Sequence, residues 1–246
     1  INFKFLYFYN LKIYLFYVEL RYPLFNKIIM DDIISMNWSK VLFLNLEIDK
    51  DHLRDHIPSD LEIRTHNKKT YISLVFFNLE DPGVEGFNIP LSLSEFNIRT
   101  YVRYKSFEGI YFLTLDVNNG LLPIFVNKIF KLNYHNNSVD YNTENHLKRV
   151  NWTNREFNLT NFSFHFEIGE SMQTSSYTHF ITENYLYLSK PKNSVYYNKV
   201  YHKKWNLNHV NLHQIKNLNL FEENSIHSAF YSDSLKVRTG FPVKLT

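Results

Sequence analysis

Cysteine is absent from this chain of 246 residues, alanine occurs once, at Ala229, and glycine occurs six times. Without cysteine there is no disulfide framework and no cysteine-held zinc. Six glycines exclude a collagen-like repeat and make a phosphate-cradling loop improbable. No Gly-x-Gly-x-x-Gly, P-loop or Gly-x-Ser-x-Gly run is present. What is abundant is asparagine (30), phenylalanine (22) and tyrosine (18). The enriched residues have A/T-rich codons and the depleted ones G/C-rich codons, so the skew reports base composition and not function. With 44% hydrophobic and 21% charged residues, the chain can bury a core and is not a disordered polyelectrolyte.

Residues 1–17 use only Ile, Asn, Phe, Lys, Leu and Tyr, the six residues that codons made purely of A and T encode. The expectation is that 1–29 is a non-native or peripheral extension, translated from AT-rich DNA, with Met30 the start and Met36 the alternative. A membrane anchor fits poorly. Lys4, Lys12, Glu19, Arg21 and Lys27 interrupt the stretch, and its longest uncharged run is seven residues, where a span needs about 20. No small-residue cleavage site marks a signal peptide. Without 1–29 the chain carries 23 basic and 23 acidic residues. The overall charge of +3 therefore comes from the extension, and no basic face argues for nucleic acid. The expected partner is a small molecule, with no nucleic acid and no membrane, and the expected location is the cytoplasm. Oligomeric state is not legible.

From Trp38 onward the sequence predicts a single, mostly β domain over 30–246. Strands are expected at 38–48, 61–65, 70–79, 96–104, 109–117, 195–202 and 226–237. Short helices are expected at 50–56, behind the N-cap residue Asp49, and at 121–132, near Pro123. Residues 81–94, with Pro82, Gly83, Gly86 and Pro90, read as a loop. Residues 133–168 read as polar strands with Asn-rich turns. Many strands and few helices predict an α+β, mostly β architecture, barrel-like or sandwich.

The central hairpin carries the densest chemistry. Alternation along a strand puts Glu95, Asn97, Arg99, Tyr101 and Arg103 on one face. If Arg103 pairs with Ile110, then Tyr101 faces Phe112, Arg99 faces Thr114 and Asn97 faces Asp116, which brings Asp116 beside the others. A one-residue slip would undo this. Such a face is either a solvated exterior or a polar cavity wall. In the cavity reading Arg99 binds a carboxylate or enolate and Glu95 orients it or moves a proton.

At these residues the chain resembles a known family. Trp38 with Phe43, then Leu53, Ile57-Pro58 and Leu61, then Glu95-Phe-Asn-Ile-Arg-Thr-Tyr-Val102 and Gly109-Ile-Tyr-Phe-Leu-Thr-Leu-Asp116 follow in order. Phe180-Ile-Thr-Glu-Asn-Tyr-Leu-Tyr187 and His202-Lys-Lys-Trp205 come after them. Together they resemble the YqjF-like family, of unknown function, in the acetoacetate decarboxylase-like superfamily. The resemblance runs from about Trp38 to Val237. It implies an antiparallel barrel or cone around a small-molecule cavity, which favours the cavity reading of the Glu95 face. It does not carry over decarboxylase chemistry, which needs a lysine amine for a Schiff base. Where the decarboxylases present paired lysines after a proline, this chain reads Lys131-Leu-Asn133-Tyr134-His135. Tyr134 and His135 are then expected to complete the pocket, while Lys128 and Lys131 turn to solvent.

Other candidates carry less. His52 and His56 have a ligand-like spacing, but the run lacks the glutamate that zinc peptidases place after the first histidine, so no metal or cofactor is expected. His202 and Trp205 read either as a strand-end packing pair or as cavity wall with a proton carrier. Glu183 either pairs with a cavity arginine or sits at a surface turn. The expected site is thus Glu95, Tyr134 and His135 for chemistry, with Asn97, Arg99, Tyr101, Asp116, His202 and Trp205 for binding. The expected function is binding of a small carboxylate- or carbonyl-containing molecule, with lyase- or hydrolase-type chemistry, and a non-catalytic sensor or partner-binding scaffold is the alternative.

Overall fold

A computed structural model describes residues 33–84, 87–144, 147–154, 159–218 and 225–246. The extension 1–29 and the Met30 start lie outside the described residues. Within them, β1 (Ile34–Ile48) is followed by α1 (Lys50–Arg54), β2 (Glu62–Ile63), β3 (Thr70–Val84) and β4 (Phe87–Asn88). The central hairpin is β5 (Ser92–Tyr104) and β6 (Phe107–Val117). Then come α2 (Leu122–Phe130), β7 (Tyr134–Asn136), β8 (Ser138–Glu144), β9 (Leu147–Asn154) and β10 (Leu159–Ser171). The chain ends with α3 (Ser176–Thr182), β11 (Leu186–Ser189), β12 (Tyr196–Tyr201), β13 (Asn208–Lys216), β14 (Ser225–Thr239) and β15 (Val243–Lys244).

The strands form one curved sheet in the order β15-β12-β11-β6-β5-β3-β1-β14-β13-β10-β9-β8, with β12 also pairing β14. That last contact, Val200 with Thr239 and Tyr201 with Arg238, brings the path back on itself. All pairings are antiparallel except β6 with β11 and β6 with β7. The central strands are buried on both faces, so they read as continuous apolar runs and not as alternation. In β1, Leu42, Leu44 and Leu46 join one core, with Phe76, Phe96, Ile98, Trp152 and Phe164. Val41 and Phe43 face the other way, into a second core with Val75, Phe77, Tyr101, Ile110 and Trp205. The candidate site lies on this second side.

Local chemistry explains most element ends. The Asp49 carboxylate accepts from the backbone N–H of Asp51 (2.7 Å) and of His52 (3.4 Å), which starts α1. Ser175 and Thr178 form a reciprocal capping box at the start of α3, an element the sequence reading missed. The expected loop at 81–94 is instead the end of β3, which runs through Pro82 to Val84 and folds back onto β4. Asp81 takes a positive φ of 48° there, and the Pro82 carbonyl accepts from Ile89 N at 2.9 Å. Proline is tolerated at such a bulged end of a strand because its missing N–H has no ladder partner to lose.

Candidate functional site

The register of β5 against β6 differs from the expected one, and the difference sorts the site. Tyr101 pairs with Ile110 and Arg99 with Phe112, then a bulge shifts the ladder, so that Ile98 pairs with Thr114 and Phe96 with Asp116. The extra residue, Leu113, lies on β6, so alternation along β5 continues unbroken against β3. Leu93, Glu95, Asn97 and Arg99 therefore share one face, and all four line a cavity of about 640 Å³.

Arg99 is 7% exposed. Its Nη2 donates to the Ile181 carbonyl at 3.4 Å, its guanidinium sits 5.2 Å from the Phe43 ring centre, and its Nε has no partner. Among the described residues no carboxylate lies within ion-pair distance of it, so the expected Glu95–Arg99 pairing is not formed. Burial lowers the Arg99 pKa and the Tyr101 phenol offsets part of that. The guanidinium stays charged because its starting value is so high.

Glu95 is 4% exposed. Tyr134 OH donates to its Oε2 at 3.0 Å and Asn97 Nδ2 approaches its Oε1 at 3.5 Å. Burial pushes its pKa up to about 8, against the pull of those two donors. At neutral pH the carboxyl is largely protonated and can both give and take a proton. Tyr134 reaches it from β7, which is held by Asn127 of α2: the Asn127 side chain accepts from Tyr134 N at 2.6 Å and donates to its carbonyl at 2.9 Å. Burial and the neighbouring Glu95 raise the Tyr134 pKa, so the phenol remains a donor.

Three expected members, and the further candidate Glu183, are placed elsewhere or act differently. His135 follows Tyr134 in a strand and so points away; its Nε2 meets the Asn133 side chain at 2.9 Å and it does not line the cavity. Asp116 faces the opposite core, where it accepts from Trp152 Nε1 (2.6 Å), Asn154 Nδ2 (2.7 Å), Asn137 Nδ2 (2.9 Å) and Thr114 Oγ1 (3.1 Å). Four donors around one buried carboxylate make a structural anchor, not a ligand group. Tyr101 is fully buried behind Arg99, with its OH 2.5 Å from Ser73 Oγ, and does not reach the cavity. Glu183 does not meet an arginine; it caps α3 and its Oε1 accepts from Trp205 N at 3.3 Å.

His202 and Trp205 do line the cavity. Trp205 Nε1 donates to the Thr182 carbonyl at 3.0 Å, which fixes the indole, and the His202 ring lies 5.0 Å from it. His202 Nδ1 is 2.8 Å from the Lys203 carbonyl. A carbonyl only accepts, so Nδ1 carries the proton and Nε2 is the free acceptor. Desolvation lowers the His202 pKa and keeps the ring neutral. The sequence reading missed the rest of the wall. Helix α2 presents Leu122, Phe125, Val126 and Ile129, and Phe43, Phe77 and Asn198 are among the other lining residues. The spacing of those four α2 residues is the signal that could have found it.

Lys128 and Lys131 are absent from the lining, as is every other described lysine. Lys131 Nζ donates to the Lys128 carbonyl at 2.8 Å. His52 and His56 are both exposed, and among the described residues no cluster of His, Asp and Glu suits a metal ion. No helix among the described residues is long and apolar enough to cross a membrane.

A family model for DUF2071, an uncharacterized conserved protein, matches residues 35–236. The uncharacterized protein YqjF of Bacillus subtilis (strain 168) is 28% identical over 187 residues, covering 70% of this chain and 74% of that protein. Among solved structures, an acetoacetate decarboxylase-like enzyme from Sphingomonas wittichii RW1 aligns with a TM-score of 0.62 at 9% identity, over 87% of this chain and 94% of that one. The enduracididine biosynthesis enzyme MppR complexed with pyruvate aligns with a TM-score of 0.59 at 9% identity, over 92% and 93%. Identities this low establish the acetoacetate decarboxylase-like fold and nothing about chemistry.

Proposed function

The chain belongs to the DUF2071 family, and on that premise we propose that its cavity binds a small carboxylate through Arg99 and presents a carbonyl of that ligand to Glu95. The observation that carries the reading is a buried guanidinium on the cavity wall with an unpartnered Nε and, among the described residues, no carboxylate to neutralise it. A buried unpaired charge is costly, and an anionic ligand would relieve that cost. MppR was solved with pyruvate, which supports a carboxylate in this fold.

In this reading Arg99 holds the anion by charge-assisted hydrogen bonds. Glu95, protonated near neutrality, donates to a carbonyl oxygen on which negative charge builds, and Tyr134 steadies the carboxylate that remains. No described lysine lines the cavity to form a Schiff base, so in this reading any lyase- or hydrolase-type chemistry proceeds by acid–base catalysis. We assign the protein to the cytoplasm, in keeping with a metabolite-sized ligand. Pyruvate and acetoacetate titrated by calorimetry should bind, and Arg99→Leu should weaken them by roughly ten- to a hundredfold, the worth of hydrogen bonds to a charged group. Equal binding by the variant would overturn the reading. Mass spectrometry of the recovered ligand then separates an enzyme, which converts it, from a sensor, which returns it unchanged.

A further inference from the structure

Among the described residues, Glu95 and Arg99 are the acidic and basic side chains on the cavity wall, and most of the remaining lining is apolar. Along β5 the lining runs Arg99, Asn97, Glu95, Leu93. On the adjacent strand Val75 pairs with Asn97, Phe77 with Glu95 and Leu79 with Leu93. One strand further, Phe43 pairs with Val75, Trp38 with Leu79 and Ile34 with Val84. Beyond Glu95, three neighbouring strands contribute Leu93, Leu79, Trp38, Val84 and Ile34; among the described residues no charged group lines this end, where the polar lining residues are Ser92, Asn118 and Asn119. Six residues of strand at ~3.3 Å each put Arg99 and Leu93 about 20 Å apart.

Pyruvate would fill only part of that space. A volume of about 640 Å³ holds about 20 water-sized groups at ~30 Å³ each, whereas pyruvate has six heavy atoms. The remaining space would be water against apolar walls, which is unfavourable. With about 20 Å of strand as the upper bound, and space left for the head group at Arg99, this face holds roughly ten carbons of extended chain with bonds of ~1.5 Å.

We infer that the ligand is a monocarboxylate bearing an unbranched apolar chain of about eight to twelve carbons, its head on Arg99 and its tail between Leu93, Leu79 and the inner face of α2. This rests on the proposed role of Arg99 and adds the substrate class. Glu95 faces the chain near the carbons closest to the head, where a carbonyl substituent would meet it. Leu122, Phe125, Val126 and Ile129 of α2 line the same cavity and add to its apolar wall.

The test is a homologous series of straight-chain carboxylates, from acetate to tetradecanoate, titrated into the full chain by calorimetry. Affinity should rise about fourfold per methylene, the usual hydrophobic increment, up to about ten carbons, and then level off or fall. Leu93→Phe and Leu79→Phe, made separately so that one suffices if the other misfolds, should shorten the preferred acid by two or more carbons and leave butyrate binding unchanged. Arg99→Leu should lower affinity at every length by the same factor. Affinity independent of length, with Arg99→Leu still disruptive, would overturn the chain-length inference and leave the carboxylate reading standing. Binding insensitive to Arg99→Leu at all lengths, or decanol binding as tightly as decanoate, would overturn the carboxylate reading itself.

Discussion

Replacing Glu95 with glutamine should stabilise the protein, and by an amount that depends on pH. The side chain keeps its shape and an acceptor for the Tyr134 hydroxyl, but it can no longer ionise. In the fold the Glu95 carboxyl holds its proton up to about 8, because burial penalises the charge, against an ordinary value of 4.5. Between those pH values the folded chain binds a proton that the unfolded chain has released. Stability therefore falls as pH rises from 4.5 to 8 and is flat outside that window. At about 1.36 kcal/mol per pH unit, the ceiling is about 5 kcal/mol above pH 8, and about 3 kcal/mol is already lost at pH 7. For a chain of this size that is a difference in melting temperature of roughly 10 °C. Thermal unfolding of parent and variant from pH 4 to pH 9 checks it. The two should melt together at pH 4 and separate progressively, the variant above the parent. Subtracting the curves removes every other titrating group, such as Glu108 and Asp60, whose pKa values are lowered by Arg103 and Lys190. A gap that stays constant across the range would show that Glu95 ionises as a solvated carboxyl does, and the dry acid at the heart of the site would be refuted.

Asp116→Asn puts an amide where four donors converge, so at least one donor loses its acceptor. A loss of about 3 kcal/mol in denaturant unfolding is expected, with carboxylate affinity unchanged because the group lies on the opposite face of the sheet. Gly109→Ala drives a Cβ into the backbone carbonyl of Leu186 on the parallel partner strand. It should cost about 1–3 kcal/mol by urea melt, as overpacking does. We propose that 30–246 folds as one domain without the preceding residues; a chain beginning at Met30 should melt within about 2 °C of the full chain, and a larger drop would refute this.

Alternation is a local property, and wherever it governed, the sequence was readable. Glu95, Asn97 and Arg99 were placed on one face by counting, and they line one wall. Asp116 was misplaced because its position depended on the cross-strand register, and a single extra residue, Leu113, flips every later partner on β6. His135 failed for a related reason: Tyr134 and His135 are consecutive in a strand, so they cannot both face one cavity. Residues 81–94 read as a loop because Pro82 and Gly83 are poor strand formers in isolation, yet pairing with β4 outweighs that preference. The contacts of Arg99 with Phe43 and with the Ile181 carbonyl join residues 56 and 82 positions away, and no pattern along the chain foreshadows them.

The pairing of the first described strand with one of the last has a consequence for how the protein is made. Both edges of β1 are covered in the finished fold, one by β3 and the other by β14. The β3 edge is filled early, since its partner is close in sequence. The β14 edge waits for roughly 180 more residues, about 10 to 35 s of translation at ordinary elongation rates. Throughout that time a strand carrying Val41, Leu42, Phe43 and Leu44 presents an open row of backbone donors and acceptors to every neighbouring nascent chain. Contacts of such long sequence separation also close slowly once they can form. Yield in the cell should therefore track translation speed and chaperone supply more closely than the stability of the completed fold, and misassembly should begin at the uncovered side of β1.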